Sequence, residues 1–496
     1  MFKNEKMKKS TIYIYACLFV FLVFSSGCDE FLNVTPKGLD VLKTTEQYNG
    51  IFNNANLFSY LNIRNQPGGI SSLLGSAEMP LFMGDDIFSS AGFLNAIPTI
   101  AWQNGFKWSA DPYLPTDESN EWGAFYNQLY NYNIVVTGVM DSEGGTLERK
   151  KELLAEARAC RAFNHFLVAN LFGQPFDENT ASTDLSVPIV VNADVNAGNF
   201  KRATVRELYD FITKELTEAI PDLQAKVYSR VRMSRPAAQY MLGMVYFQMR
   251  KYQDALKLFN DCRAGLTGGP VSIRLYNYNT TMTTAAPTGW FTDSQPWRGA
   301  SGYPLLYNSD ETIFLRQLSI SSTVNRNCLF LKPNILALFA TTDHRRKLFF
   351  DKNAANGTIA LPGFMRNSPT SVNLGPNVPN LLLMSAECKA RGNDLTGAKT
   401  DVEELRKNRM PVTNATVTAT TQDELIRFVL DERHREFAST GMRWFDMRRL
   451  VKDAKFNNLD RTKKFDTETF TLTDNRLTLK IPPQILQYNP SMVDNP

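Results

Sequence analysis

The sequence predicts a mostly α-helical protein, a scaffold of tetratricopeptide-like helical pairs carrying long irregular loops. Three observations lead there. Apolar residues recur at helical spacing in many separate segments. One pair of segments has the small-residue pattern of a helical repeat. Two long stretches between the helices, 63–119 and about 268–310, are rich in Gly, Pro and aromatic residues and have no period.

Helical periodicity runs through 45–62 and 120–140 and is strongest over Arg149–Phe172. There Leu153, Leu154, Ala157, Cys160, Phe163, Leu167 and Leu171 share one side and Gly173 supplies the stop. Helices are also expected at 204–220, 234–250, 252–264, 378–392, 395–409 and 421–440, followed by a polar stretch at 453–476. The run Leu242-Gly243-Met244-Val245-Tyr246 with Tyr252, Ala255 and Phe259 has tetratricopeptide spacing. Small Gly243 and Ala255 let two helices approach, and Leu242, Tyr246 and Phe259 fill the seam. Ala386 and Ala398 repeat the same offset, with Gly392 and Asn393 at the turn.

The N-terminus reads as an export signal. Lys3, Lys6, Lys8 and Lys9 precede an apolar run of thirteen residues, Ile12 to Phe24. A membrane span needs ~20 residues, so the run fits a signal-peptide core. Ser25-Ser26-Gly27-Cys28 then makes Cys28 the expected lipidation site of a bacterial lipoprotein, although Ser25 stands where Leu or Val is usual. The expected organisation is a signal peptide over 1–27, a lipidated tether over 28–44 and one compact unit over 45–496, with 45–310 and 311–496 as its two parts. Residues 1–27 hold four Lys and one Glu, so their removal takes the formal charge from +4 to +1. No basic block is interleaved with aromatics, which argues against nucleic-acid binding. Cys160, Cys262, Cys328 and Cys388 are scattered without CxxC spacing and are expected as buried thiols. Three histidines without ligand spacing argue against a metal site.

Several separated segments carry a family resemblance. They are Cys28-Asp29-Glu30-Phe31-Leu32 with Pro36 and Gly38, then Ser309-Asp310-Glu311-Thr312-Ile313-Phe314, then Leu381-Leu382-Leu383-Met384-Ser385-Ala386-Glu387. Most specific are Asp431-Glu432-Arg433-His434-Arg435-Glu436-Phe437 and Gly441-Met442-Arg443-Trp444-Phe445-Asp446-Met447-Arg448-Arg449, with Ile481-Pro482 and Asn489-Pro490 near the end. The chain resembles the SusD/RagB family of nutrient-capturing outer-membrane lipoproteins over essentially its whole mature length. His434, where the family more often has Arg, is a small departure. The resemblance implies one compact SusD-like domain, a surface-exposed outer-membrane location, no cofactor, and a TonB-dependent transporter of the SusC type as partner.

Glu432 and Glu436 could in principle act as an acid–base pair on a glycosidic bond. Their i,i+4 spacing, with Arg435 beside them, favours ion pairs along a helix instead, so no catalytic residue is expected. Sugar recognition needs flat apolar faces with amides, carboxylates and guanidinium groups around them. Trp102, Gln103, Asn104, Phe106 and Trp108 in the first irregular stretch offer these, as do Trp290, Phe291, Asp293, Gln295, Trp297, Arg298 and Tyr303 in the second. The candidate contact residues are Trp102, Asn104, Trp108, Trp290, Trp297, Arg298 and Tyr303, although a loop tryptophan can equally pin its loop to the scaffold. Trp122 and Trp444 fall in helical patterns and are expected in the core. Asp85 and Asp86 lack a calcium-loop ligand series and are expected to cap or turn. The function expected is capture of oligosaccharides for a transporter. The alternatives are peptide capture in the manner of RagB or, less favoured, glycoside hydrolysis.

Overall fold

The computed structural model describes residues 42–59, 78–97, 99–117, 119–194, 197–285, 287–291, 296–320, 327–353, 357–358 and 360–496. Cys28, the leader, Asp293 and Gln295 lie outside these. The principal helices are α1 (Thr45–Ile51), α2 (Asn120–Gly138), α3 (Leu147–Phe172), α4 (Val205–Ala219), α5 (Arg235–Gln248) and α6 (Tyr252–Gly265). The C-terminal part adds α7 (Val378–Arg391), α8 (Leu395–Lys407), α9 (Gln422–Phe437) and α10 (Met442–Leu450). Residues 45–496 form one compact unit. No helix of the described residues is long and apolar enough to cross a membrane.

Helix starts follow local chemistry. Thr204 and Thr421 each cap a helix reciprocally with Glu207 and Glu424 three residues on. Asn377 and Ser234 accept the N3 amides of α7 and α5, each followed by a proline in the first turn, where a missing N–H costs nothing. The helical pairs are those the spacing predicts. α5 packs on α6 and α7 on α8, with Gly243 against Phe259 and with Ala255, Ala386 and Ala398 fully buried. Both connecting turns pass through a left-handed residue, Arg250 (φ 59°) and Asn393 (φ 64°).

A methyl group on Gly243 would lie 2.6 Å from the Phe259 ring. That ring is itself wedged among Tyr240 and Phe247 and cannot swing away. Gly243→Ala should therefore cost about 1–3 kcal/mol through overpacking, read as a lower midpoint in urea denaturation.

Helix α3 differs from the amphipathic expectation. Every residue from Ala159 to Phe172 is buried, polar ones included, because α2 and α4 flank it and α10 reaches its end. Several of the buried polar groups find local partners. Arg161 pairs with Glu215, Asn164 donates to the Gln128 side chain, and His165 Nδ1 bonds the Arg161 carbonyl while its Nε2 accepts the Val190 N–H. The last carbonyls of α3 are taken by the Arg448 guanidinium, which donates to Ala169 O and Gly173 O, a cation at the negative end of the helix dipole. Trp444, fully buried, donates its indole N–H to Asn170 O, and Trp122 packs on Tyr126 and Phe172, so both are core residues. Cys160, Cys262, Cys328 and Cys388 are buried and unbridged.

Among the described residues there are four two-stranded antiparallel pairs: β1 (Ile87–Phe88) with β3 (Phe330–Leu331), β2 (Gln317–Ser319) with β6 (Ser371–Asn373), β4 (Phe349–Lys352) with β5 (Ala360–Arg366), and β7 (Thr462–Phe465) with β8 (Glu468–Thr471). The last occupies part of the stretch expected to be merely polar. Short helices, Met79–Met83 and Ile100–Phe106 among them, break up the first irregular stretch.

Candidate functional site

The charged C-terminal signature is an ion-pair lattice. Glu432 is fully buried, and its two oxygens receive Arg345, Arg406 and Arg435 at 2.7–2.9 Å. Glu436 is held by Arg345 and Arg409, and Arg409 also binds Glu311, so the lattice crosses from α9 to the loop before β2. A second branch runs from Arg433 through Asp446 and Arg449 to Glu387. Burial alone would raise Glu432 and Glu436, but the surrounding guanidinium groups outweigh it and hold both below the ordinary carboxylate range. Neither is tuned as a proton donor at neutral pH.

Asp85 and Asp86 sit in a turn, as expected, and Asp85 in addition pairs with a distant arginine. Asp85 grips Arg443 bidentately at 2.6 and 2.8 Å and accepts the Asp460 N–H, while Asp86 accepts the Ser439 N–H. The guanidinium that Asp85 binds is buried and comes from 358 residues away along the chain. Among the described residues no cluster of His, Cys, Asp and Glu could hold a metal ion.

Beside the lattice lies a cleft open on one side. Its walls come from the 278–312 loop, the end of β5, β6 and the end of α9. Tyr278 and Tyr303 form one wall, their hydroxyls 3.2 Å apart. Behind them Trp290 packs at 4.6 Å from the Tyr303 ring and edge-on to Tyr276 and Tyr278. Arg409 lies 4.1 Å over the Tyr278 ring, fixing its plane. Ser371, Asn373 and Thr440 add hydroxyl and amide groups, and Arg366 and Glu311 reach the cavity from opposite elements. Burial pushes the Glu311 carboxyl up, and Glu436 nearby pushes in the same direction against Arg409. Next to the cleft Leu305 and Tyr307 are 61% and 50% exposed, large apolar groups standing in water.

The sequence candidates divide between two places. Tyr303 lines the cleft, Trp290 backs it, and Trp297 and Arg298 sit in a short 3-10 turn tied to β5's exit by the Asn367 amide donating to Trp297 O. Arg298 is exposed and Trp297 half-buried. Trp290 is 8% exposed, so it braces Tyr303 more than it presents a face.

The first-stretch candidates are packing residues, which corrects the expectation for them. Trp102 is 3% exposed and stacks on Phe82, 5.3 Å between centroids. Trp108 is equally buried, donates to Met83 O and has the Lys463 ammonium 4.3 Å over its ring. The Asn104 amide closes its own loop on Pro112 O. The physical reason is the helix Ile100–Phe106, which turns Ala101, Trp102, Gly105 and Phe106 inward together.

Sequence reasoning missed Arg366, Tyr278 and Tyr307. Arg366 ends the β4–β5 hairpin; like Tyr278 and Tyr307, it carries no period that distinguishes it.

Two family descriptions match the chain. A SusD-like family, described as starch-binding and associating with the outer membrane, matches residues 81–247, and the SusD family matches residues 379–496. The chain belongs to the SusD/RagB family. A SusD-like protein of Formosa agariphila is 23% identical over 560 aligned positions, covering 99% of this chain and 98% of that one. A SusD superfamily protein from Bacteroides fragilis superposes with a TM-score of 0.67 at 18% identity, over 91% of this chain and 100% of that one. Surface glycan-binding protein A from Bacteroides uniformis superposes with a TM-score of 0.63 at 17% identity, over 84% of this chain and 93% of that one. The mostly α SusD-like fold expected from the helical pairs is therefore the fold of this chain.

Proposed function

We propose that this chain is a surface-exposed outer-membrane lipoprotein, anchored through Cys28, that captures oligosaccharides without altering them and delivers them to a TonB-dependent transporter of the SusC type. One observation carries the ligand class: the cleft beside the lattice offers tyrosine rings, hydroxyls, amides and a guanidinium on a rigid wall. That is the mixture of flat apolar face and directed hydrogen-bonding groups that pyranose rings require. The family's starch-binding description and the glycan-binding name of the B. uniformis structural neighbour support the same class. Absence of turnover is supported by the lattice, since Glu432 and Glu436 are both engaged by arginines on more than one side.

Isothermal titration of the purified protein against a broad oligosaccharide panel, followed by chromatography of the recovered sugar, tests this reading. Saturable binding with the ligand returned intact is the expected result. Binding of peptides alone would move the protein to peptide capture, and shortened products would make it a hydrolase. Two further measurements address anchoring and delivery. Mass spectrometry should find acyl chains on Cys28 as the new N-terminus, and detergent extracts should yield a large β-barrel with the lipoprotein.

A further inference from the structure

Arg366 is the one charged group of the cleft whose partner is missing among the described residues. It is 8% exposed and lines the cavity. Its Nε has no acceptor, and its remaining contact is a long 3.5 Å approach of Nη1 to Ala438 O. The Phe349 ring lies 5.9 Å away. Burying a guanidinium with no counter-charge is costly, and here burial lowers its pKa, with Tyr278, Tyr303 and Glu436 only partly compensating.

The neighbouring carboxylates do not supply the missing charge. Asp343, Glu311, Glu432 and Glu436 are ion-paired to Arg345, Arg406, Arg409 and Arg435, four acids against four bases. Glu311 and Glu436 face the cleft and would repel an anion if free, but each is held by Arg409 at 2.8 Å. Arg366 is the surplus cation of this corner.

We infer that the cleft selects acidic oligosaccharides, with Arg366 receiving a carboxylate or sulfate ester of the sugar while Tyr303 packs on the ring. The inference rests on the glycan-capture reading and sharpens it from sugars in general to anionic ones. A guanidinium suits either oxyanion, because its parallel N–H groups match two oxygens at once.

Two matched pairs of probes test it by titration: an oligogalacturonate against its methyl ester, and a sulfated galactan oligosaccharide against its desulfated form. In at least one pair the acidic member should bind about tenfold or more tightly than its neutral partner, the range of a hydrogen bond to a charged group. Arg366→Gln should abolish that preference, and added salt should weaken only the acidic member. Equal affinity for acidic and neutral members in both pairs overturns the inference and leaves glycan capture standing. A preference that persists in Arg366→Gln overturns it as well. If neither member of either pair binds, the inference falls, and binding of other, neutral glycans then decides whether glycan capture survives. The comparison within each pair and its salt dependence are read on the wild-type protein, so they hold even if Arg366→Gln fails to fold.

Discussion

Glu432→Gln should destabilise the protein by about 3–5 kcal/mol, the cost of leaving buried charges without their partner. Glu432 has no exposed surface and is the point where Arg345, Arg406 and Arg435 converge. Glutamine keeps the shape but removes the charge, and its amide N–H₂ would point a donor at a guanidinium. Arg345, itself nearly unexposed, would retain Asp343 and Glu436, so the loss falls mainly on Arg406 and Arg435. Urea denaturation followed by circular dichroism reads the effect. The surface pair Lys455–Asp423 is a control whose removal should change little, since exposed pairs are screened and entropically costly. A Glu432→Gln protein as stable as wild type, but altered in turnover of a glycan, would return the signature to the role of an active site.

The second large effect is loss of stability on mild acidification. Burial depresses His165 to about 4 and His434 to about 3, against ~6.5 for an exposed imidazole. For His434, Arg443 and Arg435 push down further while Asp85 and Asp446 oppose them. Between the folded and unfolded values the unfolded chain binds more protons than the native one, so the stability these residues contribute is full above ~6.5 and falls as the pH drops. By pH 5 the loss should reach about 2 kcal/mol for each histidine. The structure gives the cause for His165 directly: protonating Nε2 would set a proton against the Val190 N–H it now accepts. Below about 4 the carboxylates add to the loss, because Glu432 and Asp446 are held below their ordinary range and must be protonated in the unfolded chain first. Denaturation midpoints at pH 7.5 and 5 should therefore differ markedly, and His165→Gln should remove roughly half of the difference. A midpoint independent of pH over this interval would contradict the burial of neutral histidines.

How much the sequence shows depends on the range of the interactions. Helices α2 to α9 follow their apolar periods to within a few residues, because helix formation is set by neighbours three and four positions apart. The small residues Gly243, Ala255, Ala386 and Ala398 identify the paired helices for the same local reason. Three features were out of reach. The complete burial of α3 beyond Ala159 comes from helices packed on all sides, and its polar residues hide it from a period count. The Asp85–Arg443 pair joins opposite ends of the chain, so nothing local to the Asp85 turn points to its arginine. Trp102 sits in a helix too short to show a period and Trp108 in the turn just after it, and both are core residues where exposed platforms were expected. Tyr303, by contrast, lies in a loop that lines a cavity.

We propose that the Tyr303 cleft holds the sugar. Titration of wild type, Tyr303→Ala and Tyr307→Ala with the tightest-binding oligosaccharide of the panel tests it most directly, with thermal melting run in parallel. Tyr303→Ala should weaken binding about tenfold or more, consistent with an aromatic face lost at the site, while Tyr307→Ala, altering a residue half in solvent, should leave the melting temperature unchanged. Undiminished affinity in Tyr303→Ala, with the fold intact, would place the sugar elsewhere and contradict the account.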